Sequence, residues 1–162
     1  MRKNLRSSLA LVVLVAGAVS LGSGAQAKET PIGPHVTQNG IEVGAVYLQP
    51  IEMDPPDMMR AAAQSDIHLE ADIRAAKDNR NGFAEGDWVP ALAVSFEITK
   101  LEGDAATGPK VSGSLMQMVA NDGPHYGDNV KLDGPGQYQL TYRVAPPGGH
   151  HQHAFGRHTD KE

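Results

Sequence analysis

The stretch DIHLEADI, residues 66–73, decides the fold class, because its polar and apolar side chains alternate along the segment. Alternation with a period of two is typical of a half-buried β-strand. Similar alternation occurs in IEVGAVYL (41–48), LAVSFEI (92–98), VSGSLMQMV (111–119) and QYQLTYRV (137–144). Residues 129–132 predict one more short strand.

Segments rich in glycine, proline, asparagine and aspartate separate these runs and predict turns, among them NDGPHYGD (121–128). Residues 58–64 (MMRAAAQ) predict a helical turn at most. Strands separated by turns at this spacing favour an all-β fold, an antiparallel β-sandwich of immunoglobulin type. Such a sandwich has about seven strands, and the sequence offers five clear ones and one short one. We therefore expect the sandwich to lack its last strand.

The amino terminus has the features of a secretory signal peptide. Arg2, Lys3 and Arg6 precede an apolar run over residues 9–21, and Ala25-Gln26-Ala27 is a small-x-small cleavage signature. The apolar run is shorter than the about 20 residues that cross a bilayer. We predict a signal peptide over residues 1–27, a single domain over residues 28–162, and export to a bacterial periplasm.

Composition excludes several classes of protein. The chain contains no cysteine, so neither disulfides nor a cysteine nucleophile are available. Its formal net charge is −5, and signal removal takes away three positive side chains. An acidic surface argues against nucleic-acid binding and is compatible with attracting cations. No phosphate loop, dinucleotide fingerprint or G-x-S-x-G elbow occurs. We therefore do not expect an enzyme.

His68 and Glu70 are the first candidate ligands. They occupy alternate positions of the strand predicted at 66–73, on the face opposite Ile67 and Leu69. Taken alone, this pair favours a solvated outer face over a metal site.

Met118 and His125 follow in the segment SLMQMVANDGPHYG (114–127). Met118 ends an apolar strand, and His125 lies in a predicted Gly-Pro-His-Tyr-Gly turn that would fold back toward the strand end. Taken alone, Met118 is more simply a core side chain, and Met116 competes for any role that it has.

Three other features carry potential donors. His158 lies in FGRHTD (155–160), where the simpler interpretation is a frayed terminal histidine. Met53 offers a thioether, and the simpler interpretation is that it belongs to a hydrophobic or partner-facing loop. His150, His151 and His153 form a histidine-rich loop whose ordering would cost conformational entropy, so we expect a solvated loop.

Imidazole, thioether and carboxylate together make a ligand set that suits copper. The sequence alone therefore predicts a metal-binding protein, with copper as the first ion, provided that the fold brings the three segments together.

The runs VGAVYLQPIEMDPP (43–56), DIHLEADIRAAKDNRNGFAEGDWVP (66–90), SLMQMVANDGPHYGDNV (114–130) and FGRHTDKE (155–162) carry a resemblance. In this order they resemble the periplasmic iron-transport family. That family includes a copper-binding periplasmic partner of a ferrous-iron permease and a spirochaete membrane-antigen lipoprotein. Family members usually continue past the last run into a final strand, which matches the shortage of strands counted above.

The resemblance implies a homodimeric, immunoglobulin-like sandwich. It also implies a copper site whose ligands match His68, Met118, His125 and His158. Glu70 matches a carboxylate that serves as a variable ligand or holds iron or manganese at a second site, and Met53 matches a methionine of some members. The implied role is iron uptake with an inner-membrane permease.

Three hypotheses follow. In the first, bound copper assists a change in the oxidation state of iron or its transfer to the permease. In the second, the chain is a periplasmic copper buffer or chaperone with no role in iron. In the third, it is a structural domain for protein contacts, without metal.

Overall fold

The computed structural model describes residues 28–147, which form an antiparallel β-structure. The strands are Thr30–Pro31 (β1), Val36–Gln38 (β2), Ile41–Leu48 (β3), Ile67–Ala75 (β4), Ala93–Lys100 (β5), Lys110–Ala120 (β6), Gly123–Val130 (β7) and Tyr138–Ala145 (β8). A single 3-10 turn, Ala62–Gln64, is the helical content of this part of the chain. The prediction of an all-β antiparallel fold is therefore confirmed.

Strand β6 joins two halves of the fold. The strand order is β1-β3-β4-β7-β6-β5-β8, with β2 also paired to β3. Residues 116–120 of β6 pair with β7, whereas residues 110–115 pair with β5. One half of β6 therefore belongs to a sheet containing β3, β4 and β7, and the other half belongs to a sheet containing β5 and β8.

The core lies between these two sheets. Leu69 and Ile73 of β4 pack in one buried cluster with Phe96 and Ile98 of β5. The Tyr142 hydroxyl on β8 donates a 2.8 Å hydrogen bond to the backbone carbonyl of Glu70 on β4. This packing fixes the inner face of β4, so its other face is left to carry the candidate ligands.

Two predictions about local structure were wrong. The segment predicted as the turn 121–128 folds as strand β7, because β4 and β6 pair with it on both sides. The described residues also contain eight strands instead of the six counted from the sequence. The weak strand predicted at 129–132 is the end of β7. The immunoglobulin-like topology stays a prediction.

Residues 28–147 contain no helix long and apolar enough to cross a membrane.

Candidate metal centre

His68 and Glu70 lie on the face of β4 that points away from the core, and both are buried. Their exposed fractions are 0% and 6%. The interpretation of this pair as a solvated outer face is therefore wrong. The loop between β3 and β4 lies over this face, since Ile51 and Arg60 of that loop both hydrogen-bond to the side chain of Asn129 on β7.

Strand register places β7 ligands beside those of β4. Glu70 is opposite Gly127, and His68 is opposite Asn129. Alternate residues of a strand share a face, so His125 lies on the same face as Gly127 and Asn129. A histidine that was predicted in a turn is thus held on a central strand.

Met118 reaches the same face from β6. It is opposite His125 in the β6–β7 pairing and is half-buried. A Cβ atom placed on Gly127 would lie 2.6 Å from His68 Nε2 and 3.2 Å from Met118 Sδ. The imidazole nitrogen and the thioether sulfur therefore border one small volume, which exists because residue 127 has no side chain.

The donor atoms converge on Glu70. Its Oε1 lies 3.5 Å from His68 Nε2 and 3.4 Å from His125 Nε2. One donor atom from each of the three residues falls within 4.8 Å of the others. Both Nε2 atoms are buried and make no hydrogen bond. Buried polar nitrogen without a partner is costly, and an ion bound between these donors would satisfy both.

Asn129 sets the state of the His68 ring. Its amide nitrogen donates to the carbonyls of Ile51 and Arg60, which fixes the orientation of the amide. The amide oxygen therefore faces His68 Nδ1 at 3.0 Å and accepts a hydrogen bond from its N–H group. A neutral ring that carries its proton on Nδ1 presents the Nε2 lone pair to a metal.

Burial governs the protonation of the cluster. It lowers the pKa of His68 to about 4, with a smaller contribution from the charge of His125. It raises the pKa of Glu70 to about 7, assisted by the negative charges of Glu29, Asp72 and Asp122. Without metal, Glu70 therefore carries a proton below about pH 7, while His68 is neutral, which is the form of the imidazole that coordinates a metal.

Of the remaining predicted ligands, Met53 lies within the described residues and His158 does not. Met53 is half-buried in the loop between β3 and β4, two residues after Ile51. His158 and the His150, His151 and His153 loop lie outside the described residues, as does the predicted signal peptide.

Gly127 and Asn129 are positions of the candidate site that the sequence analysis missed. Both occur within a segment that had the composition of a turn. An alternation of His125, Gly127 and Asn129 at every second position is the signal that would have indicated a strand with one functional face.

Together these features define an all-β protein with a buried histidine–carboxylate cluster whose donor atoms suit a metal ion. A profile described as Fe2+ transport protein matches residues 26–162. The chain therefore belongs to this iron-transport family, and the resemblance noted from its sequence motifs is confirmed.

Curated relatives support the assignment. The chain is 59% identical over 160 residues to the UPF0423 protein of Brucella abortus strain 2308, a match that covers 99% of this chain and 85% of that protein. It is 38% identical over 123 residues to the 34 kDa membrane antigen of Treponema pallidum, covering 74% of this chain and 58% of the antigen.

Solved structures share the fold at high identity. FetP of uropathogenic Escherichia coli strain F11 superposes with a TM-score of 0.73 and 48% identity, covering 83% of this chain and 84% of FetP. A copper-reconstituted P19 protein of Campylobacter jejuni gives a TM-score of 0.74 and 46% identity, covering 83% of this chain and 85% of P19.

Proposed function

We propose that this chain is an exported, periplasmic metal-binding protein that holds copper in the cluster of His68, Glu70, Met118 and His125. The observation that carries the proposal is the pair of buried, unpartnered Nε2 atoms facing one carboxylate. Two imidazoles and a thioether suit both Cu(II) and Cu(I), because thioether sulfur favours the reduced ion and imidazole accepts either. The copper-bound state of the P19 and FetP relatives supports the same ion.

His158 and Met53 complete the proposed ligand set. An imidazole from His158 would supply a third nitrogen, from the same subunit or from the partner of a homodimer. Met53 follows the loop residue Ile51, which is tied to Asn129 over the cluster. Glu70, as a harder oxygen donor, would either complete the copper coordination or hold iron or manganese beside the copper.

The proposed role is iron uptake with an inner-membrane permease. Membership of the Fe2+ transport protein family supports this role over that of a copper buffer. Bound copper supplies one-electron redox chemistry next to a carboxylate suited to iron. Growth of a gene-deletion strain separates the two roles. Loss of an iron-uptake protein should stop growth under iron starvation. Loss of a copper buffer should instead reduce growth under copper excess.

Copper titration of His125→Ala tests the metal site directly. Removing one of two facing imidazoles should abolish stoichiometric Cu(II) binding, measured by calorimetry at neutral pH. His35→Ala is the matched control, since His35 is an exposed histidine with Glu42 as its partner at 3.1 Å. Equal stoichiometry and affinity in the two variants would remove His125 from the site.

A further inference from the structure

Three methionines line one cleft beside the metal cluster. The cleft has a volume of about 370 Å³ and opens where β6 leaves β7, under the loop between β3 and β4. Met58 and Met59 line it from the loop, and Met116 lines it from β6. We call this feature the methionine cleft.

The methionine cleft adjoins the buried donors. Met116 and Met118 occupy alternate positions of β6 and so share a face, and both are half-buried. The cross-strand partner of Met116 is Gly127, the residue over which His68 Nε2 and Met118 Sδ meet. Thioethers therefore extend from the cluster to the cleft, where Met58 is 47% exposed and open to solvent.

Charge in the cleft does not favour hard cations. Asp128 lies in the field of Arg60, and Lys131 is bonded to the Asp66 carboxylate at 2.7 Å. Hard divalent ions need several oxygen ligands, and the cleft offers one carboxylate with a neighbouring cation. Neutral thioether sulfur is the ligand that soft monovalent ions prefer.

We propose that the methionine cleft is a second, solvent-open site for Cu(I), in which Met58, Met59 and Met116 are the ligands. The inference rests on the proposed function, because the cleft would receive the reduced ion next to the buried cluster. The two sites differ in the oxidation state that they accept: the cleft takes only the soft ion, while the imidazoles of the cluster also take Cu(II).

Silver titration tests the cleft, since Ag(I) imitates Cu(I) and has no accessible redox change under these conditions. Wild-type protein should bind one more equivalent of Ag(I) than the triple variant Met58→Leu/Met59→Leu/Met116→Leu. Leucine conserves volume, so the fold should survive. Carbon-13 labelling of the methionine methyls should show Ag(I)-dependent shifts at Met58, Met59 and Met116 as well as at Met118.

Val119→Leu is the control, because it changes an exposed aliphatic side chain on β6 that lies outside both the cleft and the proposed ligand set. Equal Ag(I) stoichiometry in the wild type and the triple variant would overturn the proposal, and so would an equal loss in the control. The single variant Met58→Leu, at an exposed position, repeats the test without risk to folding and should weaken binding of the extra Ag(I) at least tenfold.

Cu(II) titration of the same proteins separates this proposal from the proposed function. The triple variant should bind Cu(II) as the wild type does, because its imidazoles and Glu70 are unchanged. Loss of Cu(II) binding along with Ag(I) would overturn a separate cleft site. Wild-type protein that binds Ag(I) in the cleft but no Cu(II) would instead defeat the proposed function alone.

Discussion

At the scale of single residues, Gly127 leaves space for two candidate donor atoms, His68 Nε2 and Met118 Sδ, because glycine has no side chain. Gly127→Ala would place a methyl group 2.6 Å from His68 Nε2, closer than the buried ring allows. We expect copper affinity to fall at least tenfold, or about 1.4 kcal/mol, with about 1–3 kcal/mol of stability lost to overpacking. Calorimetry and denaturant unfolding measure the two effects.

Gly113→Ala is the control for this substitution. Its Cβ would lie 2.8 Å from Cε1 of Phe96, a similar overlap in the core. We expect a comparable loss of stability with copper affinity unchanged. If the two alanine variants bound copper equally well, the volume over Gly127 would not be the ion's position.

The raised pKa of Glu70 predicts that metal binding depends on pH. Burial raises the pKa of Glu70 to about 7, so at pH 6 this carboxyl carries a proton that a metal must displace. Affinity should therefore rise as pH increases toward 7. At pH 6 the wild type should release about one proton more than Glu70→Gln on binding Cu(II).

Calorimetry in buffers of different ionisation enthalpy counts these protons. At pH 8 Glu70 is already ionised, so the difference between the wild type and the variant should disappear. The same proton release from both proteins at pH 6 would mean that Glu70 does not join the ion.

At the scale of secondary structure, Asn129 links β7 to the loop between β3 and β4, which covers the face carrying the candidate ligands. One amide bonds to Ile51, Arg60 and His68. Asn129→Ala should free the His68 ring and lower copper affinity about 10–100-fold, the usual cost of losing such an orienting partner. Amide hydrogen exchange at Ile51 should accelerate, because its bond to the Asn129 oxygen is lost.

Thr99→Ala is the matched control for Asn129→Ala. Thr99 is a buried polar residue on β5, outside the ligand face. It should leave both copper affinity and Ile51 exchange unchanged. An Asn129 variant with wild-type affinity would show that the His68 ring does not depend on this bond.

The strands also show what the sequence can and cannot reveal. β3 was predicted to the residue, and β4, β5, β6 and β8 to within two residues at each end, because one face of each is apolar along most of its length. Residues 123–128 of β7 were missed, because the outer face of this strand carries His125, Gly127 and Asn129 instead of an alternating apolar pattern. The residues that form the candidate metal site are thus the same residues that prevented the prediction of strand β7. Convergence of His68, Glu70 and His125 depends on β4–β7 register, which composition does not encode.

At the scale of the whole molecule, the stability of the fold depends on core packing and on any ion that the folded chain binds. The sequence has no cysteine and so no disulfide. On β8, Tyr138, Leu140, Tyr142 and Val144 are only partly buried against the core. The two buried Nε2 atoms of His68 and His125, which lack hydrogen-bond partners, lower the stability of the metal-free protein. Metal binding should therefore contribute visibly to the free energy of unfolding.

Thermal unfolding measures that contribution. An ion that binds only the folded chain, at a free concentration 100 times its Kd, stabilises it by about 2.7 kcal/mol. For a domain of this size we expect Cu(II) to raise the Tm by roughly 5–20 °C, followed by circular dichroism. His35→Ala should show the same rise, because its imidazole is exposed and pairs with Glu42. The double variant His68→Ala/His125→Ala should show none, since no paired imidazoles remain. A rise that persists in the double variant would place the stabilising ion elsewhere on the molecule.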